Sequence, residues 1–267
     1  MPSTARPAEL PLHDERGPVS RRARRLIGWE IGIVLCLSLG RSAVFSVLDL
    51  IEALTGGTLA DQTVTLNAPT AASPVLDAIR QTALILFSLA PVALVIFLAG
   101  PGLRGALARL GLAAPRGRGG AARDVVGGLG LFLLIGLGTL GVYAAGRALG
   151  VTARLNPSGL SLEWWNHGIL LLSAVRHGLL EEIIMIGYLF WRGRQMGWGP
   201  AQVIVGSAIL RGLYHSYQGV GPIAGNLAMG IIFGVIYSRT GRLAPLIVAH
   251  VLLDATAFFA ASWYARL

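Results

Sequence analysis

Cysteine is nearly absent from this chain. Cys36 stands alone among 267 residues, which excludes an internal disulfide framework and any metal site built on thiolates. Lysine is missing altogether, so all 22 basic residues are arginine, set against 13 acidic ones. Charge of either sign is scarce, at 13% of residues, where a soluble domain carries about a quarter. That scarcity excludes an ordinary water-solvated fold. With 54% hydrophobic residues and a mean hydropathy of +0.65, the chain reads as a polytopic membrane protein. The first 25 or so residues are polar and rich in Pro and Arg, and no short apolar core with a small-residue cleavage site follows them. They read as a retained cytoplasmic tail, residues 1–26.

The net charge of +9 raises the question of nucleic acid, and the placement of the arginines answers it. They cluster between apolar runs, from Arg16 to Arg25, from Arg104 to Arg123, at Arg192 with Arg194 and at Arg239 with Arg242. Cytoplasmic loops have this pattern under the positive-inside rule, and no nucleic-acid partner is required. A helical span needs about 20 mostly apolar residues. Seven segments are expected to span: 27–53, 81–100, 125–149, 166–190, 200–218, 221–238 and 243–262. Seven crossings put the arginine-rich loops on one side and the poorer loops, 54–80 and 150–165, on the other. The expected protein is an all-α transmembrane bundle in the plasma membrane, N-terminus cytoplasmic. Residues 27–164 form its first helices and 165–262 a core with a polar site. Leu103, Leu107 and Leu110 with Arg104 and Arg109 have the spacing of a short amphipathic surface helix, although a solvated linker fits equally well. Glycine pairs four apart, Gly221/Gly225 and Gly230/Gly234, suit close helix packing in lipid.

Polar residues inside the later apolar segments carry the chemistry. Glu181 and Glu182 are adjacent in one span, His215 lies at the end of the next with Arg211 one turn earlier, and the last span has His250 and Asp254 at i and i+4. Ionisable groups in hydrocarbon are costly, so several spans carrying them imply one shared site. Adjacent helical residues point about 100° apart, so one glutamate faces the site while the other braces a neighbour. His177, one turn before Glu181, reads as a structural or outer group. Tyr214, Tyr217, Trp164, Trp165, Trp191 and Trp198 fall near span ends, where aromatic side chains anchor helices at headgroup depth, although Tyr217 with Gln218 also suits the entrance of the site.

A Glu-Glu pair, a later His and a terminal HxxxD together resemble the CPBP family of intramembrane proteases, which includes the type II CAAX prenyl endopeptidases. The resemblance covers roughly 165–262. Family motifs usually read EExxxR, an aromatic residue four before a His, and HxxxN or HxxxD. Here Ile186 replaces the arginine and Arg211 the aromatic residue. The two departures suggest that Arg211 supplies from the neighbouring helix the charge that position 186 lacks. The resemblance implies hydrolysis of a peptide bond in a membrane-associated protein or peptide. It makes Glu181 the general base with Glu182 beside it, His215 the partner, and His250 with Asp254 the polariser of the carbonyl. Asp254, as a carboxylate, suits orienting His250 better than facing an oxyanion. Zinc or another divalent metal on Glu181, His215 and His250 stays open, since a metal-free glutamate mechanism uses the same residues. Two other readings remain: a proton-coupled transporter, and a non-catalytic membrane immunity or scaffold protein.

Overall fold

The computed structural model describes residues 19–113, 119–160 and 163–264. The arginine-rich tail is described only from residue 19, and residues 114–118 of the expected flexible stretch lie outside the described residues. Helices dominate. Helix α1 (Arg21–Cys36) is capped by Ser20, whose hydroxyl accepts from the Ala23 N–H, and it meets α2 (Leu39–Thr55) at a bend of 52°. Helix α3 (Pro74–Ser88) begins with a Ser73 cap and proline in its first turn, and α4 (Ala90–Leu98) continues it past Pro91. Proline has no N–H to donate to the preceding turn, which explains the break there.

After α5 (Leu103–Arg109) come α6 (Gly120–Ala148), α7 (Trp165–Glu181) and α8 (Leu189–Met196). Between α7 and α8 the rod continues as a π-helical segment, Glu182–Tyr188. The last three helices are α9 (Pro200–Tyr214), α10 (Val220–Thr240) and α11 (Ala244–Tyr264). Two three-residue strands, β1 (Thr63–Thr65) and β2 (Arg154–Asn156), pair in parallel with Val64 opposite Leu155. They tie together the two loops expected to be arginine-poor, and a bridge from Thr152 to Gly219 joins the N-terminal end of α10 to them.

Helical rods occupy all seven expected segments, but a count of seven spans is not reproduced by length and composition. Among the described residues, three rods are long and apolar enough on their own: Pro74–Leu98, Gly120–Ala148 and Val220–Thr240. The bent pair α1–α2 makes a fourth. Helix α9 has 15 residues, short for the hydrocarbon thickness, and the rod through α7 carries the glutamates. The chain is an integral membrane protein whose outer helices expose Leu, Val and Phe broadly, as a lipid-facing surface does.

Close packing draws the later helices together. A Cβ on Gly230 would lie 2.8 Å from the Ala208 Cα, and one on Gly234 would lie 2.9 Å from Ile204, so the expected glycine pair lets α10 approach α9. Gly178 of α7 likewise packs on Val251 of α11. Charges that interrupt the first rod are partly explained. Glu30 takes Arg192 Nε at 2.7 Å and Nη2 at 2.6 Å, and also accepts from the Tyr188 hydroxyl at 2.9 Å, so it faces the bundle. The helix suggested over 103–110 is present as α5, with Ala106 and Leu110 fully buried beneath it.

Candidate active site

Four of the later elements bring the polar residues to one place. The rod through α7 carries Glu181 and Glu182 at the point where α-helical bonding gives way to the π segment. Such widened turns are rare and recur at functional sites. Glu181 lines a cavity of about 710 Å³, whereas Glu182 is fully buried behind it and does not line the cavity. The expected division of labour between adjacent carboxylates is therefore present as geometry.

Arg211 holds the two carboxylates together. One turn before His215 on α9, and with no exposed surface, its Nη1 lies 3.3 Å from Glu181 Oε2 and its Nη2 2.8 Å from Glu182 Oε1. The cross-helix pairing suggested by the two motif departures is thus observed, while Ile186 is buried among apolar neighbours. A buried charge needs a partner and hydrogen bonds to be tolerated, and Arg211 has both from a neighbouring helix. The face of Phe233 lies 5.7 Å from its guanidinium carbon.

Two histidines differ in how they are held. His250 Nδ1 is 2.6 Å from Glu182 Oε1, and its Nε2 is 3.8 Å from Glu181 Oε2. A carboxylate on one ring nitrogen fixes the tautomer and aims the other nitrogen, here toward Glu181. His215 Nδ1 bonds the Arg211 carbonyl at 3.0 Å, which leaves Nε2 as the nitrogen available to the cavity that His215 lines. No direct hydrogen bond joins His215 to Glu181 among the described residues, so the two share the cavity wall without touching.

Asp254 departs from expectation. Its Oδ2 accepts from His177 Nδ1 at 2.9 Å and stands 3.9 Å from His250 Nε2, beyond hydrogen-bond reach. Asp254 therefore orients His177 rather than His250. His177 Nε2 in turn meets the Arg176 guanidinium, so the carboxylate is compensated from α7 through a histidine. His177, read as a structural or outer group, lines the cavity beside Asp254.

Sequence reasoning misplaced Tyr214. Assigned to the interface, it is 5% exposed, and its hydroxyl donates to Glu181 Oε2 at 2.6 Å. Its position next to His215 and three after Arg211 was the available signal, because i+3 places it on the face that carries the guanidinium. Trp191 is also buried, with the Arg192 guanidinium 3.8 Å above its ring, whereas Trp164 remains 78% exposed as an interfacial residue would. The helices without a recognised motif supply much of the cavity wall, through Phe45 and Ser46 of α2 and Phe132 and Leu137 of α6.

The donor set does not fit a metal. Among the described residues no group of three His, Cys, Asp or Glu side chains converges as a coordination shell would. Glu181 Oε2 is already engaged by Tyr214 and Arg211, and the guanidinium places a fixed positive charge beside the point where Glu181 and His250 meet. A divalent cation there would face that charge at close range.

A bundle of membrane helices enclosing a cavity, with Glu181, Asp254 and three histidines on its wall, defines a polytopic membrane protein with a buried polar site. The segment carrying these groups can be placed further. Residues 163–256 match the family model described as Rce1-like: Type II CAAX prenyl endopeptidase Rce1-like, which supports the resemblance that the motifs of this segment carry. No curated protein and no solved structure matches the chain.

Proposed function

We propose that the chain is an intramembrane endopeptidase that cleaves a membrane-associated protein or peptide with water activated by Glu181. The observation that carries this reading is the position of Glu181: on the cavity wall, fixed by Tyr214 at 2.6 Å and facing His250 Nε2 at 3.8 Å. The family match over 163–256 supports a protease at the general level. In this scheme Glu181 takes a proton from water as the oxygen attacks the scissile carbonyl carbon. His250, held through Nδ1–H by Glu182, acts as the imidazolium and presents Nε2–H to the developing oxyanion, where a fixed donor contributes most. His215 Nε2 hydrogen-bonds the water or, once protonated, the leaving nitrogen. As the C–N bond breaks, the proton passes to that nitrogen. Glu182 and Arg211 act as positioning residues, and Asp254 acts through His177.

Residues 165–262 supply the reacting groups, and 27–164 supply lipid-facing helices and part of the cavity wall, while the expected tail over 1–26 gives way to α1 at Arg21. We place the arginine-bearing end in the cytoplasm of a plasma-membrane protein. That orientation puts the strand-capped end of the cavity, near Leu66 and Leu155, on the opposite side. A peptide reaching His215 from that end would approach from outside the cytoplasm.

The test compares the protein termini of membranes from cells carrying wild type, Glu181→Gln or His215→Ala. Loss of a general base costs about a hundredfold to ten-thousandfold in rate. Termini that vanish in both variants support the scheme, and an unchanged set of termini supports the non-catalytic reading instead.

A further inference from the structure

A second cavity, of about 270 Å³, lies at the other end of the bundle between α5, α8, α9 and α10. Its wall includes Arg109, Arg194, Trp198 and Tyr237, and among the described residues no acidic side chain contributes to it. Three arginines of this end are engaged elsewhere. Arg192 pairs with Glu30, Arg242 pairs with Asp124, and Arg109 donates to the Ala99 carbonyl. Arg194 lines the cavity, and among the described residues its exposed side chain has neither an ion pair nor a hydrogen bond.

Tyr237 adds an independent observation. It is 4% exposed, packed edge-on against Phe190 with ring centroids 5.0 Å apart, and its hydroxyl has no hydrogen-bond partner among the described residues. The hydroxyl is left to the cavity that Tyr237 lines, so a ligand that accepts from it would gain a hydrogen bond there. The backbone comes close to the ring at Gly111, which is left-handed with φ of +80° and has no Cβ to obstruct it. A Cβ on Gly111 would lie 2.6 Å from the Gly241 carbonyl oxygen and 2.7 Å from the Tyr237 ring.

A planar guanidinium and a phenolic hydroxyl facing one small cavity, with an arginine beside them and no carboxylate, recognise an oxyanion of several acceptor oxygens. Trp198, 38% exposed at the rim, belongs at headgroup depth, where phosphates are concentrated. We propose that this cavity binds an anionic phosphate group, held by Arg194 and Tyr237, at the arginine-bearing face of the membrane. The phosphate can be carried by a lipid headgroup or arrive free in solution.

The test uses the full-length protein purified in detergent, with phosphatidylglycerol, diacylglycerol and inorganic phosphate as probes and native mass spectrometry as the readout. Retention of phosphatidylglycerol over diacylglycerol is expected. Arg194→Gln should weaken it about tenfold or more, the value of a charge-assisted hydrogen bond. Tyr237→Phe, which keeps the ring on Phe190, should weaken it several-fold, as expected for a neutral hydrogen bond of roughly 1 kcal/mol. Displacement of the lipid by inorganic phosphate assigns the site to phosphate from either source, and resistance to displacement assigns it to the headgroup. Equal retention of diacylglycerol, or full retention of phosphatidylglycerol by both variants, overturns the proposal.

Discussion

Replacing Arg211 with methionine removes a buried cation while keeping a side chain of similar length. Glu181 and Glu182 then remain buried, one almost and one entirely without exposure, and both lose a contact at 3.3 or 2.8 Å. Breaking a buried ion pair from one side costs about 3–5 kcal/mol, because the remaining charge is uncompensated. For a chain of this size that corresponds to a fall in Tm on the order of 10 °C. The same substitution in a Glu181→Gln/Glu182→Gln background should cost far less, since no carboxylate remains to be stranded. Thermal unfolding of the four proteins in one detergent, followed by intrinsic tryptophan fluorescence, measures the cycle. A coupling of about 2 kcal/mol or more is expected, well above the roughly 0.5 kcal/mol within which independent sites add. Additive costs would refute the argument that Arg211 is the counter-charge of the glutamate pair. Ile186→Arg in the Arg211→Met protein is a companion test, and a partial recovery of Tm is the expected outcome.

Tyr214→Phe should lower cleavage by roughly tenfold or more while leaving Tm nearly unchanged, because it removes a hydrogen bond to a charged acceptor and keeps the ring; equal activity would place Tyr214 outside the machinery. His177→Ala should destabilise the protein by about 1–3 kcal/mol by leaving Asp254 without its donor, and adding Asp254→Asn should return much of the loss. Equal melting of the single and double variants would contradict the pairing. Chelator treatment followed by metal analysis should leave cleavage unchanged, since the donors do not converge; activity lost to the chelator and restored by zinc would overturn that reading.

Much of the core was legible because a buried ionisable residue in a membrane helix is expensive wherever it occurs. Glu181, Glu182, Arg211, His215, His250 and Asp254 could be grouped on that ground, and the helix periodicity placed Arg211 beside His215 and His250 beside Asp254. Which residue bonds which was not legible. Asp254 sits at i+4 from His250, yet it turns to His177 on another helix, and no spacing within α11 announces a partner 77 positions earlier. Tyr214 looked interfacial because an aromatic residue at a helix end is ambiguous between lipid headgroup and buried site. The π-helical segment after Glu182 has no proline or other local mark, so the sequence could not place it. The span count is not confirmed by length and composition for a related reason: apolar runs reveal helices, but the helices around the polar site need not each match the membrane thickness.

The central claim is that Glu181 activates the water that cleaves the peptide bond. Once a cleaved terminus is identified, a peptide spanning it can be incubated with the purified protein in lipid vesicles in ¹⁸O-enriched water. One ¹⁸O atom in the new carboxylate, formed by wild type and slowed about a hundredfold or more by Glu181→Gln, is the predicted result. Cleavage by Glu181→Gln at the wild-type rate would contradict the account.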